Sequence, residues 1–178
     1  VKDDVEEISK TIKAAYEKAD VIMTTGGVSV GDYDLLMKSM DHLGAEKIFW
    51  RLLMKPGMAF LFSVFSGKPV VSLSGNPSSA VMAMLISVLP GLRKLCGRSD
   101  FMLEECQVKL LDGCPKKNRA RRFVAGRLVI KDGQAYMASS RKQSNGILHP
   151  LHNCNLIAEI PAGMPPAEAG FIAKAYLL

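Results

Sequence analysis

The stretch Thr24-Thr25-Gly26-Gly27-Val28-Ser29-Val30-Gly31-Asp32-Tyr33-Asp34 brings glycines, hydroxyls and two carboxylates together within eleven residues. Glycine lets backbone approach a ligand closely, and N–H groups exposed ahead of a helix favour phosphate or another anion. Carboxylates beside such an anion make sense where a hard divalent cation such as Mg2+ bridges them to phosphate oxygens, which makes Asp32 and Asp34 candidate metal ligands. The same pattern suits plain helix capping by Asp32 with Asp34 solvated, and the residues alone leave both readings open.

Two further clusters carry related chemistry. Arg51 and Lys55, followed by Pro56 and Gly57, put cations at the end of a strand and before a turn. Arginine would grip a phosphate or oxyanion by a bidentate fork and lysine as a point charge, although two surface cations flanking a turn is the plainer reading. Ser74-Gly75-Asn76-Pro77-Ser78-Ser79-Ala80 again joins a strand to a helix. Asn76 is a capping residue type, Pro77 suits the first helical position, and two hydroxyls follow that an anion could use. Capping explains most of one such turn. Three of them on one sheet edge define a crevice, and ligands of open α/β sheets bind at that edge.

The elements that must hold these turns follow from periodicity. Val5, Ile8, Ile12, Ala15, Tyr16 and Ala19 recur at helical spacing, so a helix is expected over 5–19, started by Asp4 and Glu7 as a capping box. Val21 to Thr24 reads as a short buried strand, and Tyr33 to Leu43 as a second helix closed by Gly44. Lys47 to Leu52, Met58 to Val64 and Pro69 to Leu73 read as strands, followed by an apolar helix from Ser78 to Leu95 that Pro90 kinks or interrupts. Beyond Arg98 the pattern alternates over 106–111, 122–130, 134–139 and 156–160, with Asp132-Gly133 as a hairpin turn and a terminal strand over 171–178. The expectation is an α/β chain in two parts. Residues 1–100 form a partial doubly wound, mostly parallel sheet, and residues 101–178 a small all-β barrel-like domain. The first part opens on a helix where such a sheet normally opens on a strand, so a strand supplied by a preceding segment is expected.

Composition narrows the classes. With 48% hydrophobic residues the chain can bury a core. The longest apolar run, Ala80 to Leu89, falls short of the roughly 20 residues of a membrane span, so no membrane partner is expected. An acidic start at Val1 to Glu7 does not read as a secretion signal, and a cytoplasmic location is expected. Four irregularly spaced cysteines form no zinc-like pair. Residues 1–50 hold ten carboxylates against six Lys or Arg, and 51–178 hold seven against seventeen. The basic stretch Lys116, Lys117, Arg119, Arg121 and Arg122 raises nucleic acid as a partner, but no aromatic platform accompanies it.

Taken in order, Val1-Lys2-Asp3-Asp4, the segment Gly26 to Asp34, Phe49-Trp50-Arg51 through Lys55-Pro56-Gly57, and Gly75-Asn76-Pro77-Ser78-Ser79-Ala80 resemble the molybdopterin molybdenumtransferase family. The resemblance covers nearly all of this chain and less than half of a family member. It implies a molybdopterin-binding sheet domain followed by a β-barrel domain. It also implies insertion of molybdate into an adenylylated molybdopterin with release of AMP, assisted by Mg2+. By the resemblance Asp34 and Asp3 belong to the acidic metal and molybdate site, and Arg51 and Lys55 form its cationic side. Gly26, Gly27, Ser29 and Gly31 in one turn, and Gly75, Asn76, Pro77 and Ser79 in the other, would hold the pterin phosphate and AMP. Homodimerisation through N-terminal domains is implied too. The chain departs from the pattern at Arg51, where lysine is common, at Met58, and at Ser74, where proline precedes Gly-Asn-Pro. A molybdopterin adenylyltransferase on the same sheet, or a non-catalytic scaffold, are the alternatives.

Overall fold

Asp4 starts helix α1 (Val5–Tyr16) by accepting the N–H groups of Glu6 and Glu7, each at 3.0 Å. The helix stops at Tyr16 rather than Ala19, and Lys68 Nζ takes up the carbonyls of Tyr16 and Ala19 at 2.8 and 2.9 Å. These details come from a computed structural model that describes residues 1–28, 35–114, 119–140, 148 and 151–178. Contacts group the chain into two compact units, Val1–Leu52 with Gly57–Ala83, and Leu53–Pro56 with Met84–Leu178. Residues 53–56 and 84–100, which the sequence reading assigns to the sheet part, thus lie with the second unit.

In the first unit β1 (Ile22–Thr25), α2 (Leu35–His42), β2 (Glu46–Trp50), β4 (Phe60–Phe65) and β5 (Lys68–Leu73) follow α1. The four strands form one sheet in the order β1-β5-β4-β2. Ile12, Leu36 and Met40 of the helices pack with Ile22, Leu61 and Val70 of the sheet, which fixes the strand ends against a rigid layer. The α/β class holds, but the sheet differs from the expected doubly wound, mostly parallel one in a specific way. Within this sheet only the neighbours β1 and β5 run parallel; β5 with β4 and β4 with β2 are antiparallel. The cause is local: Ser66-Gly67 is a two-residue turn, too short for the crossover a parallel partner needs.

The second unit is a closed barrel. Strands β6 (Glu105–Leu110), β7 (Arg121–Lys131), β8 (Gln134–Ser139), β9 (Leu156–Ile160) and β10 (Ile172–Leu177) pair around a ring that the β7–β9 ladder completes. Val108, Leu110, Met137, Leu156, Ala158 and Ala175 fill it. The two-residue strand β3 (Met54–Lys55) adds to the start of β7 in parallel.

Helix α3 (Pro77–Ala83) gives way to a π-helical turn, Met84–Val88, and then to α4 (Leu89–Leu95). Pro90 lacks an N–H and crowds the carbonyl four residues back, so the wider turn just before it is the expected interruption. Because the helical run nevertheless continues through Pro90, Pro77–Leu95 reaches the length and apolarity of a bilayer span, which Ala80 to Leu89 alone does not.

Candidate functional site

The parallel ladder sets Thr25 opposite Leu73, so the turns that follow β1 and β5 emerge side by side. Gly26 N–H still donates to Leu73 O at 2.9 Å, and the chain then turns away with φ of 90° at Gly26 and 68° at Gly27. Side chains rarely tolerate that region, which explains the glycine pair. Across the gap a Cβ on Gly75 would stand 3.3 Å from Gly26 Cα, so the two turns meet backbone to backbone. Beyond Gly75, Ser74 Oγ accepts the Asn76 N–H at 3.2 Å, and Asn76 O accepts the first α3 N–H, from Ala80, at 3.0 Å. Asn76 and Pro77 are exposed at this rim, whereas Ser78 and Ser79 are buried, at 7% and 4% exposure.

A cleft of about 950 Å3 adjoins the first turn, lined by Asp3, Thr24, Thr25, Gly26 and Gly27 on its polar side and by Ile8, Ile12 and Leu36 on its apolar side. Asp3 is thereby brought to the glycine turn from the other end of α1. Thr24 and Ser72 are partners across the β1–β5 ladder, and both hydroxyls are buried without a hydrogen-bond partner among the described residues. Orphaned hydroxyls in such a place carry a desolvation cost of about 1–3 kcal/mol each until something polar meets them.

Arg51 stands at the same sheet end. β2 runs parallel to β5 by way of β4, and Arg51 N–H donates to Phe60 O at 2.7 Å, where β4 begins opposite Leu73. Two strand spacings of roughly 4.8 Å put the end of β2 about 10 Å along the edge from the Gly75 turn. Arg51 therefore stands on the same edge as the Gly26 and Gly75 turns.

Lys55 lies in the barrel unit. It is exposed, and β3 sets it in register with Arg122, while Leu53 O accepts the Arg121 N–H at 3.1 Å. Cα partners in a ladder share a face, so Lys55 and Arg122 bring two cations to one face of the β3–β7 ladder. The sequence reading groups Arg122 with a polyanion stretch, whereas the structure places it one step into β7, in register with Lys55. Arg121 turns elsewhere, toward Glu159 at 3.4 Å, and Glu159 also accepts the Tyr176 hydroxyl at 2.6 Å.

Ser29, Gly31, Asp32 and Asp34 lie outside the described residues, as do Lys116 and Lys117. Among the described residues no group of three or more acidic, His or Cys side chains could hold a metal ion, and Asp3 is the one carboxylate lining the cleft. Mg2+ takes one or two carboxylates together with waters and substrate phosphate, so of the described residues Asp3 could supply one of its oxygens.

Comparison with known proteins gives a consistent picture. Residues 1–94 match the family model described as "Probable molybdopterin binding domain", and residues 107–178 match "MoeA C-terminal region (domain IV)". A molybdopterin molybdenumtransferase of Staphylococcus aureus (strain COL) is 30% identical over 169 residues, which is 95% of this chain and 40% of that protein. One from Staphylococcus epidermidis (strain ATCC 12228) is 28% identical over 176 residues, 98% of this chain and 42% of that protein. The chain thus spans about 40% of the length of these curated relatives. Among solved structures, a molybdopterin biosynthesis MoeA protein from Pyrococcus horikoshii superposes with a TM-score of 0.77 at 22% identity, over 98% of this chain and 41% of its own. A molybdenum cofactor biosynthesis protein from Pyrococcus furiosus gives 0.74 at 21% identity, over 100% of this chain and 56% of its own. At these identities the structures speak for the fold.

Proposed function

The chain belongs to the probable molybdopterin binding domain family, and on that premise we propose that it is the molybdopterin-binding and domain IV portion of a molybdopterin molybdenumtransferase. Its substrates are an adenylylated molybdopterin and molybdate, and its products the molybdenum-loaded pterin and AMP. The observation that carries this reading is the backbone contact between the Gly26 and Gly75 turns beside the Asp3 cleft, a rim where an anionic nucleotide can lie against peptide N–H groups.

Each residue then has a task. Gly26, Gly27 and Gly75 let the phosphates approach the backbone, and Ser29, Gly31, Asn76, Pro77 and Ser79 are the further contacts proposed for the pterin phosphate and AMP. By the family resemblance Arg51 and Lys55 are the cations that offset charge building on the departing phosphate and on molybdate. Asp34, Asp32 and Asp3 would supply the acidic side and could hold Mg2+, which would offset negative charge on the phosphate. Neither His nor Cys lines the cleft among the described residues, consistent with attack by water or a molybdate oxygen rather than by the protein. Dimer contacts are assigned to the parts of the relatives that this chain does not span.

The test uses the full-length protein with adenylylated molybdopterin. AMP release that depends on molybdate is expected, and Asp34→Asn should abolish insertion while nucleotide binding stays measurable. Pyrophosphate release from ATP and free molybdopterin would identify an adenylyltransferase instead. Calorimetric silence toward AMP would favour a scaffold.

A further inference from the structure

Trp50 and Arg51 are sequence neighbours at the end of β2, and neighbouring side chains in an extended strand point to opposite faces. Here they share a side: the Arg51 guanidinium lies over the Trp50 ring, 4.0 Å from its centroid. The backbone makes this possible by turning at Arg51 into the left-handed region, with φ of 68°, a conformation unfavourable for any residue with a Cβ. Such outliers persist where the surroundings hold them, and the Arg51 N–H bond to Phe60 O does so. Core packing does not explain the arrangement, because Trp50 is 43% exposed and neither residue joins the buried cluster of this unit. Nor does an ion pair: among the described residues no carboxylate lies within salt-bridge distance of the Arg51 guanidinium.

We infer that Trp50 is a positioning residue that holds the Arg51 guanidinium flat, so that its N–H fork is presented to a tetrahedral oxyanion at the sheet edge. Stacking occupies the faces of a guanidinium, while its donors lie in the plane and stay available for bidentate contact. A long, rotamer-rich side chain is ordered before the ligand arrives, which removes part of the ordering cost from binding. A lysine at this position would bring neither the plane nor the fork. The inference deepens the function proposed above and rests on Arg51 belonging to its anion site.

Trp50 is the single tryptophan of the chain, so its emission reports on this contact directly. The chain is titrated with AMP, and separately with molybdate, following tryptophan emission and heat. An emission change that saturates is expected, and Arg51→Ala should remove it. Trp50→Leu should weaken the calorimetric affinity by about fivefold, the scale of an exposed cation–π contact, and Trp50→Phe should restore most of it. In an Arg51→Ala background Trp50→Leu should cost nothing further, a pattern that a purely structural role would not give. Urea midpoints check that each variant is folded, and Trp50→Phe keeps a ring in place if Trp50→Leu does not fold. If Trp50→Leu costs nothing, or costs the same with and without Arg51, the positioning role is overturned and the function stands. If the unaltered chain binds neither probe, the anion site at Arg51 is overturned together with this inference.

Discussion

Gly26 and Gly75 touch through their backbones: a side-chain carbon added at Gly75 would stand 3.3 Å from the Cα of Gly26. Two turns 49 residues apart therefore act as one rim, and the parallel pairing of β1 with β5 is what joins them. Gly75→Ala should cost about 1 kcal/mol by overpacking, and Gly75→Val more, each with a loss of AMP affinity. Gly91→Ala is the contrast, since open space surrounds that position in α4. It should raise stability by about 0.5–1 kcal/mol. Urea unfolding and calorimetry check both, and equal effects at the two positions would show that the contact is not what constrains Gly75.

Lys55 and Arg122 share a face because two residues of β3 join β7. Replacing either with methionine should weaken molybdate binding by about three- to tenfold, in the range of a charge-assisted contact discounted for exposure. The double variant should lose less than the product of the two, since neighbours facing one ligand are coupled. Calorimetry at low and physiological salt measures this, and an unchanged affinity in both single variants would remove the pair from the site.

Tyr176 gives the barrel a dependence on alkaline pH. Burial raises its phenol above the ordinary value of about 10, and the hydrogen bond to Glu159 adds to the rise. A group whose pKa is raised by folding contributes stability below its unfolded pKa and loses it as pH climbs through the folded value. Urea midpoints should therefore fall more steeply as pH climbs above about 10 in the natural chain than in Tyr176→Phe. Parallel decline of the two proteins would contradict the assignment.

Local signals in the sequence were legible and non-local ones were not. Asp4 announces α1 because its carboxylate bonds N–H groups two and three residues on, a contact within reach of sequence. The Gly26 and Gly75 turns are legible for the same reason, each being a glycine break between a strand and a helix. Lys55 beside Arg122 was not, since a ladder of two residues leaves no periodicity to read. The burial of Ser79 was also hidden: hydroxyl content places it near the rim, but the face of α3 on which it lies depends on packing. The sheet's mixed pairing follows from one tight turn at Ser66-Gly67, a feature that outweighs the α/β alternation around it.

On the function proposed above, the two glycine turns together bind the pterin nucleotide. Amide hydrogen exchange of the full-length protein, with and without adenylylated molybdopterin, tests it at the atoms concerned. Exchange should slow at Gly26, Gly27 and Gly75 together when the nucleotide is bound. Unchanged exchange at all three, with protection appearing elsewhere, would contradict it.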